Sequence, residues 1–326
     1  MAGPEQALLQ IEDLSAEFRT YQGVTKALNR VNLHIEPGEI LGLVGESGCG
    51  KSVTARSILR LIPDPPYRIT SGRIIFKGQD VLNLSTKKIR QMRGNAVSLN
   101  YQEPMASLNQ VFTVGNQMLE VVNLHQQVGR SRAREVCLEM LNQVKLPDAE
   151  QILSKYPHEL SGGMRQRVMI AMELSCRPDL LIADEPTTAL DVTIQGQVLT
   201  ILAELTRKKG FSVLFITHDM SVIAQLCDRV AVMYAGVVVE IAGVKDLFAA
   251  PRHPYTKGLI DSIAGLEEET EHLEYIPGVV PNLIDPPEGC RFHPRCGQKM
   301  DQCSRLAPEL VMVEPKHYVA CHLFPG

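Results

Sequence analysis

The chain of 326 residues reads as an α/β protein: a phosphate-binding core of buried strands covered by helices, with an antiparallel β layer ahead of it, a helical insertion within it and a small irregular lobe behind it. Three observations predict this. GESGCGKS at 45–52 has the spacing G-x-x-x-x-G-K-S, which wraps backbone N–H groups around phosphates. Apolar runs rich in Val, Ile and Leu fall at 31–35, 40–44, 180–183, 213–217 and 229–234. The later runs alternate with helical patterns, the mark of a sheet covered on both faces. After about residue 243, prolines break every long pattern, and four of the eight cysteines gather near the end.

The elements follow in order. Residues 8–76 are strand-rich and punctuated by glycine, which predicts a small antiparallel layer. The run 40–44 feeds the glycine-rich turn, and Lys51 opens a helix, the strand–loop–helix setting that this turn requires. Between Pro104 and Pro157 the pattern is helical, with no strand. SRAREVCLEMLNQV places Val136, Met140, Leu141 and Val144 on one face, with Ser131 as its N-cap. A charged helix is expected over 193–209. Prolines from Pro251 to Pro315 interrupt the tail, and GLEEETEHLE at 265–274 reads as a solvated helix or linker. The domain boundary is placed near 264: residues 1–264 form the nucleotide-binding domain, with a helical subdomain over about 104–175, and 265–326 form the extension. No internal repeat occurs, and each motif is present once.

Composition narrows the function. Hydrophobic residues are 44% and charged residues 21%, as in a globular protein with a real core. A net charge of −4 offers no electrostatic case for nucleic acid. No stretch reaches the ~18–20 apolar residues of a spanning helix. The opening MAGPEQALLQIEDL lacks the basic-then-apolar build of a secretory signal, so a cytoplasmic setting is expected, where a disulfide framework is not.

The candidate site starts at the glycine-rich turn. Gly45, Gly48 and Gly50 allow a tight turn and close approach to a β-phosphate, with favourable helix N-terminal charge beyond. Lys51 reaches the β- and γ-phosphates, and the Ser52 hydroxyl is a magnesium ligand. Glu46, Ser47, Cys49 and Val53 complete the ATP-contacting segment. Asp184 ends a buried apolar strand, where a carboxylate needs a cation or donors, and magnesium is the natural partner. Glu185 follows and points the other way if the strand persists, placed to polarise a water as general base. Tyr21, about one strand upstream, is a candidate for stacking on adenine. Phe18 competes for that role, and both aromatics also fit a plain core.

LSGGM at 160–164 ahead of LLIADE at 180–185 resembles the signature of ATP-binding-cassette (ABC) proteins, and the resemblance covers most of the chain. It implies the ABC-type nucleotide-binding domain, with a RecA-like core, an antiparallel β subdomain and a helical subdomain. In that family a glutamine matching Gln102, in LNYQEPMASLN, contacts magnesium or the attacking water. The histidine matching His218, in FITHD, contacts the γ-phosphate. Ser161, Gly162 and Gly163 would close on ATP held by a partner cassette, with Asp191 at the same interface. One phosphate loop and one signature make half an enzyme, so a second ATP-binding subunit is implied, and the family favours a paralogue.

Cys290, Cys296, Cys303 and Cys321 are separated by five, six and seventeen residues. Four thiols in a proline-rich, strand-poor segment suggest a metal-stapled lobe. No C-x-x-C pair is present, and the wider steps fit a bulkier cluster at least as well as zinc. His293, His317 and His322 read as surface or packing residues. RHPYTKGL at 252–259, PGVVP at 277–281 and GCRFHPRC at 289–296 resemble the C-terminal extension of ATP-binding subunits of dipeptide and oligopeptide importers. That resemblance implies a 4Fe-4S cluster on the four cysteines, with zinc and free thiols as alternatives. It also implies ATP and Mg2+ as cofactors, and hydrolysis that powers import of di- or oligopeptides. The partners would be two transmembrane permease subunits and an extracytoplasmic substrate-binding protein, with the chain peripheral on the cytoplasmic face of the inner (plasma) membrane. Importers of nickel or glutathione share the architecture, and nothing in the chain names the solute. A non-transport ABC ATPase is the remaining alternative. Against it stand the single cassette and the lack of a coiled coil or basic stripe; against a binding-only module stand Glu185 and His218.

Overall fold

The computed structural model describes residues 7–100, 108–187, 190–267 and 276–324. In chain order the strands are β1 (Leu9–Thr20), β2 (Gly23–Ile35), β3 (Ile40–Val44), β4 (Tyr67–Phe76), β5 (Gln79–Asp80), β6 (Val97–Asn100), β7 (Leu180–Asp184), β8 (Ser212–Thr217), β9 (Arg229–Tyr234), β10 (Val237–Gly243), β11 (Val311–Glu314) and β12 (His317–Val319). The α-helices are α1 (Lys51–Ile58), α2 (Thr86–Met92), α3 (Val114–Gln126), α4 (Arg130–Gln143), α5 (Ala149–Ser154), α6 (Gly162–Leu174), α7 (Val192–Lys209), α8 (Met220–Leu226), α9 (Val244–Ala249) and α10 (Pro254–Glu267). The chain divides into two compact units, residues 1–83 with 216–326, and residues 84–215.

The first unit holds the expected antiparallel layer, in the order β2-β1-β4-β5. Leu9 pairs with Ile35 on one side and Phe76 on the other, and alternate residues of β1 are buried, as a half-covered strand requires. Its ladder is interrupted at Asp13, where φ is 46°. Gly72 lies against that kink: a Cβ there would sit 2.6 Å from the Asp13 carbonyl oxygen. The same unit carries strands in the order β11-β12-β10-β9-β3. β3 and β9 run parallel, Leu43 opposite Ala231, and every residue of both is buried. β9 and β10 form a hairpin across Ala235 and Gly236, both at positive φ (47° and 83°), the backbone a two-residue hairpin turn demands. The tail is strand-poor, as expected, with two short strands: β12 pairs with β10 (Glu240 opposite Val319), and β11 pairs with β12.

In the second unit β6 and β7 run parallel, Leu99 opposite Ile182. α3 and α4 pack on α6, α5 packs on α3 and α4, and α6 packs on α7. Val136, Met140, Leu141 and Val144 are all buried, as the face reading of that segment predicted. Ser131 is not its cap. The helix starts at Arg130 behind Gly129, whose extended backbone (φ −65°, ψ 156°) ends the preceding loop two residues earlier than the serine signal suggested. Among the described residues no helix is long and apolar enough to cross a membrane.

Candidate nucleotide-binding and hydrolysis site

The phosphate loop lies between β3 and α1 in the first unit. Gly45, Gly48 and Gly50 have φ of 155°, 79° and 107°, conformations that side chains resist. A Cβ on Gly45 would stand 2.0 Å from the Met233 carbonyl oxygen, so glycine is obligatory there. At Gly48 the equivalent direction is open, and Ser47 and Gly48 are exposed, which leaves that stretch of backbone accessible to a ligand. The loop curls around the buried Lys51, whose Nζ donates to the carbonyl oxygens of Gly45 (2.6 Å) and Glu46 (3.1 Å) and to Cys49 Sγ (3.8 Å). Cys49 is fully buried. Burial pushes its thiol pKa up, against the opposing effect of Lys51, so it is held as a neutral thiol. Ser52 and Val53 are half-buried in the first turn of α1.

The outer side of the loop is held by the C-terminal part of the chain. The Glu46 N–H donates to the Tyr255 hydroxyl at 2.9 Å. The Glu46 carboxylate accepts from both terminal nitrogens of Arg295, at 2.7 and 3.2 Å. Tyr21 projects from the β1–β2 turn and is 96% exposed, whereas Phe18 packs on Tyr67 with ring centroids 5.1 Å apart. Of the two aromatics, Tyr21 is the one open to a flat ligand. His218 follows β8 directly and is exposed. Asp219 next to it caps α8 by accepting from the Ser221 N–H at 2.8 Å.

In the second unit Asp184 ends β7 and is only 1% exposed. An oxygen-only donor at a buried strand end, like the Ser52 hydroxyl, suits a hard cation such as magnesium. The strand ends at Asp184, so the condition for an alternating direction at Glu185 is not met. Glu185 takes a left-handed backbone (φ 50°), so its direction is set by a turn and not by strand alternation. A non-glycine residue in that region carries strain of a kind that gathers at functional positions. Ser161 caps α6, accepting from the Met164 N–H at 3.3 Å. Gly163 lets α6 approach α7, since a Cβ there would meet Ile194 Cγ2 at 2.4 Å. Asp191 caps α7, accepting from the Ile194 N–H at 2.9 Å. The signature and Asp191 thus open two helices that pack together. Gln102 lies outside the described residues. Asn100, two residues before it, donates from Nδ2 to the Glu173 carboxylate of α6 at 3.1 Å, and burial raises the Glu173 pKa to about 8 against that bond.

The four tail cysteines are neighbours. Burial lifts the Cys290 thiol to about 11, and Cys303, Cys321 and Cys296 each push it further up. Cys296 and Cys321 are also raised by burial first and by Cys303. Among the described residues no three His, Cys, Asp or Glu side chains are gathered as ligands for a metal ion. The four thiols are thus not gathered as a metal-ligand set, and their arrangement gives the expected 4Fe-4S cluster no support. The three histidines nearby are packing residues, as expected. His317 Nε2 bonds the fully buried Glu240 at 2.7 Å, His293 Nδ1 the Cys290 carbonyl at 2.9 Å, and His322 Nε2 the Leu306 carbonyl at 2.8 Å.

The sequence pattern of the ABC transporter family matches residues 28–188, and that of the oligopeptide/dipeptide transporter C-terminal region matches 239–303. A probable peptide ABC transporter ATP-binding protein of Sinorhizobium fredii is 51% identical, over 96% of this chain and 94% of its own. The dipeptide transport ATP-binding protein of Bacillus subtilis is 47% identical, over 98% and 95%. The chain belongs to the dipeptide/oligopeptide family of ABC transporter ATP-binding proteins. Among solved structures, a dimeric bacterial ABC transporter cassette superposes with a TM-score of 0.65 at 25% identity, covering 72% of this chain and 98% of that one. A cassette of Clostridium perfringens, part of a transporter complex, gives 0.64 at 28% identity, covering 75% and 91%. The ABC cassette fold and an ATPase activity follow from that membership. Sequence reasoning used RHPYT and CRFHPRC only as family marks. The structure gives Tyr255 and Arg295, within them, physical contacts on the phosphate loop, and an aromatic hydroxyl and an arginine inside quoted motifs were the signals available.

Proposed function

We propose that this chain is the ATP-hydrolysing subunit that powers import of di- or oligopeptides through a membrane ABC transporter. The observation that carries the reading is a glycine-built loop curled around the buried Lys51, in a chain whose tail matches the oligopeptide/dipeptide transporter region over 239–303. The relatives named above are peptide and dipeptide transport ATP-binding proteins, which supports the same solute class here. Residues 1–264 would be the nucleotide-binding domain and 265–326 the extension.

In this reading the loop residues 45–53 bind the triphosphate, Lys51 reaches its β- and γ-phosphates, and Tyr21 stacks on adenine. Ser52, Gln102 and Asp184 would hold magnesium, which would supply positive charge to the phosphate oxygens. Glu185 takes the proton of the attacking water, and His218 contacts the γ-phosphate. The products are ADP and phosphate. Ser161, Gly162, Gly163 and Asp191 act on the nucleotide of a second ATP-binding subunit, a paralogue. ATP then closes the pair by its greater affinity for the closed form. Two permease subunits and an extracytoplasmic binding protein complete the assembly, with this chain on the cytoplasmic face of the membrane. Cys290, Cys296, Cys303 and Cys321 would hold a 4Fe-4S cluster as a structural staple.

The test is Glu185→Gln in the assembled transporter. It is expected to bind Mg-ATP and to hydrolyse it at least about 100-fold more slowly, the order of a general-base contribution. ATPase activity equal to wild type would remove Glu185 from the role, and ATPase activity unresponsive to peptide-loaded binding protein would remove the import reading.

A further inference from the structure

Glu46 is the second residue of the phosphate loop, and its negative charge repels the polyphosphate the loop would hold. It is gripped at three points. Its N–H donates to the Tyr255 hydroxyl, its carbonyl accepts from Lys51 Nζ, and its carboxylate accepts the two-pronged bond of Arg295. The arginine is itself fixed. Its side chain is 5% exposed. Nε donates to the Pro277 carbonyl at 2.8 Å, Nη2 to the Ile276 carbonyl at 3.2 Å, and the guanidinium lies over the Tyr234 ring, 5.8 Å from its centroid. A forked guanidinium held this way defines both the position and the direction of a carboxylate, which a mobile surface ion pair does not.

Arg295 closes the short 3-10 turn His293–Arg295, between Cys290 and Cys296. The turn is pinned by the His293 N–H donating to the Cys290 carbonyl at 3.0 Å. Four residues back, Arg291 donates to the Ala235 carbonyl. The next residue, Gly236, donates its N–H to the Cys49 carbonyl of the phosphate loop at 2.8 Å. The cysteine lobe therefore meets the loop at two places, Glu46 directly and Cys49 through the β9–β10 turn.

We propose that Arg295 is a positioning residue of the phosphate loop: by holding Glu46 it neutralises and turns away the loop's one acid, and so makes nucleotide affinity depend on the C-terminal cysteine lobe. This rests on the ATP reading above. Arg295 touches no phosphate in it; it acts through Glu46.

The test measures Mg-ATP affinity of the full chain by calorimetry, with KM and kcat from steady-state hydrolysis. The variants are Arg295→Ala, Arg295→Lys, Glu46→Gln, the Glu46→Gln/Arg295→Ala double, and Glu314→Gln. The last breaks the Arg252–Glu314 ion pair on the surface of the same lobe. Arg295→Ala is expected to weaken Kd and raise KM by about tenfold, the scale of losing one charge-assisted forked contact, with kcat little changed. Arg295→Lys, which keeps the charge and loses the fork, falls between wild type and alanine. In the Glu46→Gln background the alanine change adds less than about twofold, because contacting residues are not additive. Glu314→Gln keeps the wild-type Kd. If Arg295→Ala does not fold, the lysine variant decides alone, and a wild-type Kd for it overturns the proposal. An alanine effect undiminished beside Glu46→Gln overturns it as well. A wild-type chain without Mg-ATP affinity instead overturns the nucleotide reading, a result distinct from wild-type binding that no Arg295 variant alters.

Discussion

Acidification should loosen the C-terminal part of the chain at one identifiable histidine. His253 is 1% exposed. Its Nδ1 accepts the Tyr255 N–H at 3.0 Å, so the ring is the neutral Nε2–H tautomer, while its own backbone N–H donates to Glu240 at 2.9 Å. Burial brings its pKa down from 6.5 to about 4, with the Glu240 charge pulling weakly the other way. The sign follows directly. The unfolded chain takes up the proton first, so the stability His253 contributes is complete above about pH 6.5 and is lost as pH falls towards 4. The full loss is on the order of 3 kcal/mol, of which about 2 kcal/mol is gone by pH 5. Protonation at Nδ1 also removes the acceptor of the Tyr255 N–H, and with it a brace on the residue whose hydroxyl holds Glu46. The assay is urea unfolding at pH 7.5 and pH 5 for wild type and His253→Asn, whose side-chain oxygen can accept the same bond without titrating. The wild type should lose about 2 kcal/mol more than the variant over that range. Ring resonances of labelled histidine, assigned by subtraction against the variant, give the pKa independently. Equal losses in the two proteins, or a His253 ring titrating between pH 6 and 7 in the folded chain, would refute the reasoning.

Two further outcomes are expected. Gly45→Ala places a methyl group 2.0 Å from a backbone carbonyl at a φ of 155°; it should cost on the order of 3 kcal/mol and abolish Mg-ATP binding, read by thermal unfolding and calorimetry. Glu173 is the pH opposite of His253. Burial raises it to about 8, so its stability is present at low pH and lost as pH rises towards 8. Glu173→Gln should therefore be the more stable protein by on the order of 4 kcal/mol at pH 8, with the gap closing towards pH 5 in denaturant titrations.

The phosphate loop was legible because its glycines answer to backbone geometry that no other residue meets, a local property that sequence spacing records. The buried strands were legible for a similar reason, since parallel strands covered on both faces leave unbroken apolar runs. Legibility failed where the deciding contact is distant or the element is short. β11 and β12 have four and three residues, too few for alternation to register, and they are strands only because β10 offers an edge. Glu185 leaves its strand at a single left-handed residue, which no neighbouring glycine announces. Gly129 took the cap that Ser131 seemed to signal, because loop geometry and not side-chain chemistry sets that boundary. Arg295 and Tyr255 reach Glu46 across 249 and 209 positions of chain, a distance over which composition and periodicity say nothing.

The hairpin tip at Ala235 and Gly236 has a practical meaning for anyone redesigning this scaffold. Reverse turns are the usual places to splice in a tag, a sensor domain or new chain ends. Here both residues are buried. The Gly236 carbonyl accepts from the Asn29 N–H, its N–H donates to the Cys49 carbonyl, and a methyl group on it would strike the Ala27 carbonyl oxygen at 2.6 Å. What looks like a spare corner is a keystone joining β2 to the phosphate loop, and grafts belong elsewhere on the surface.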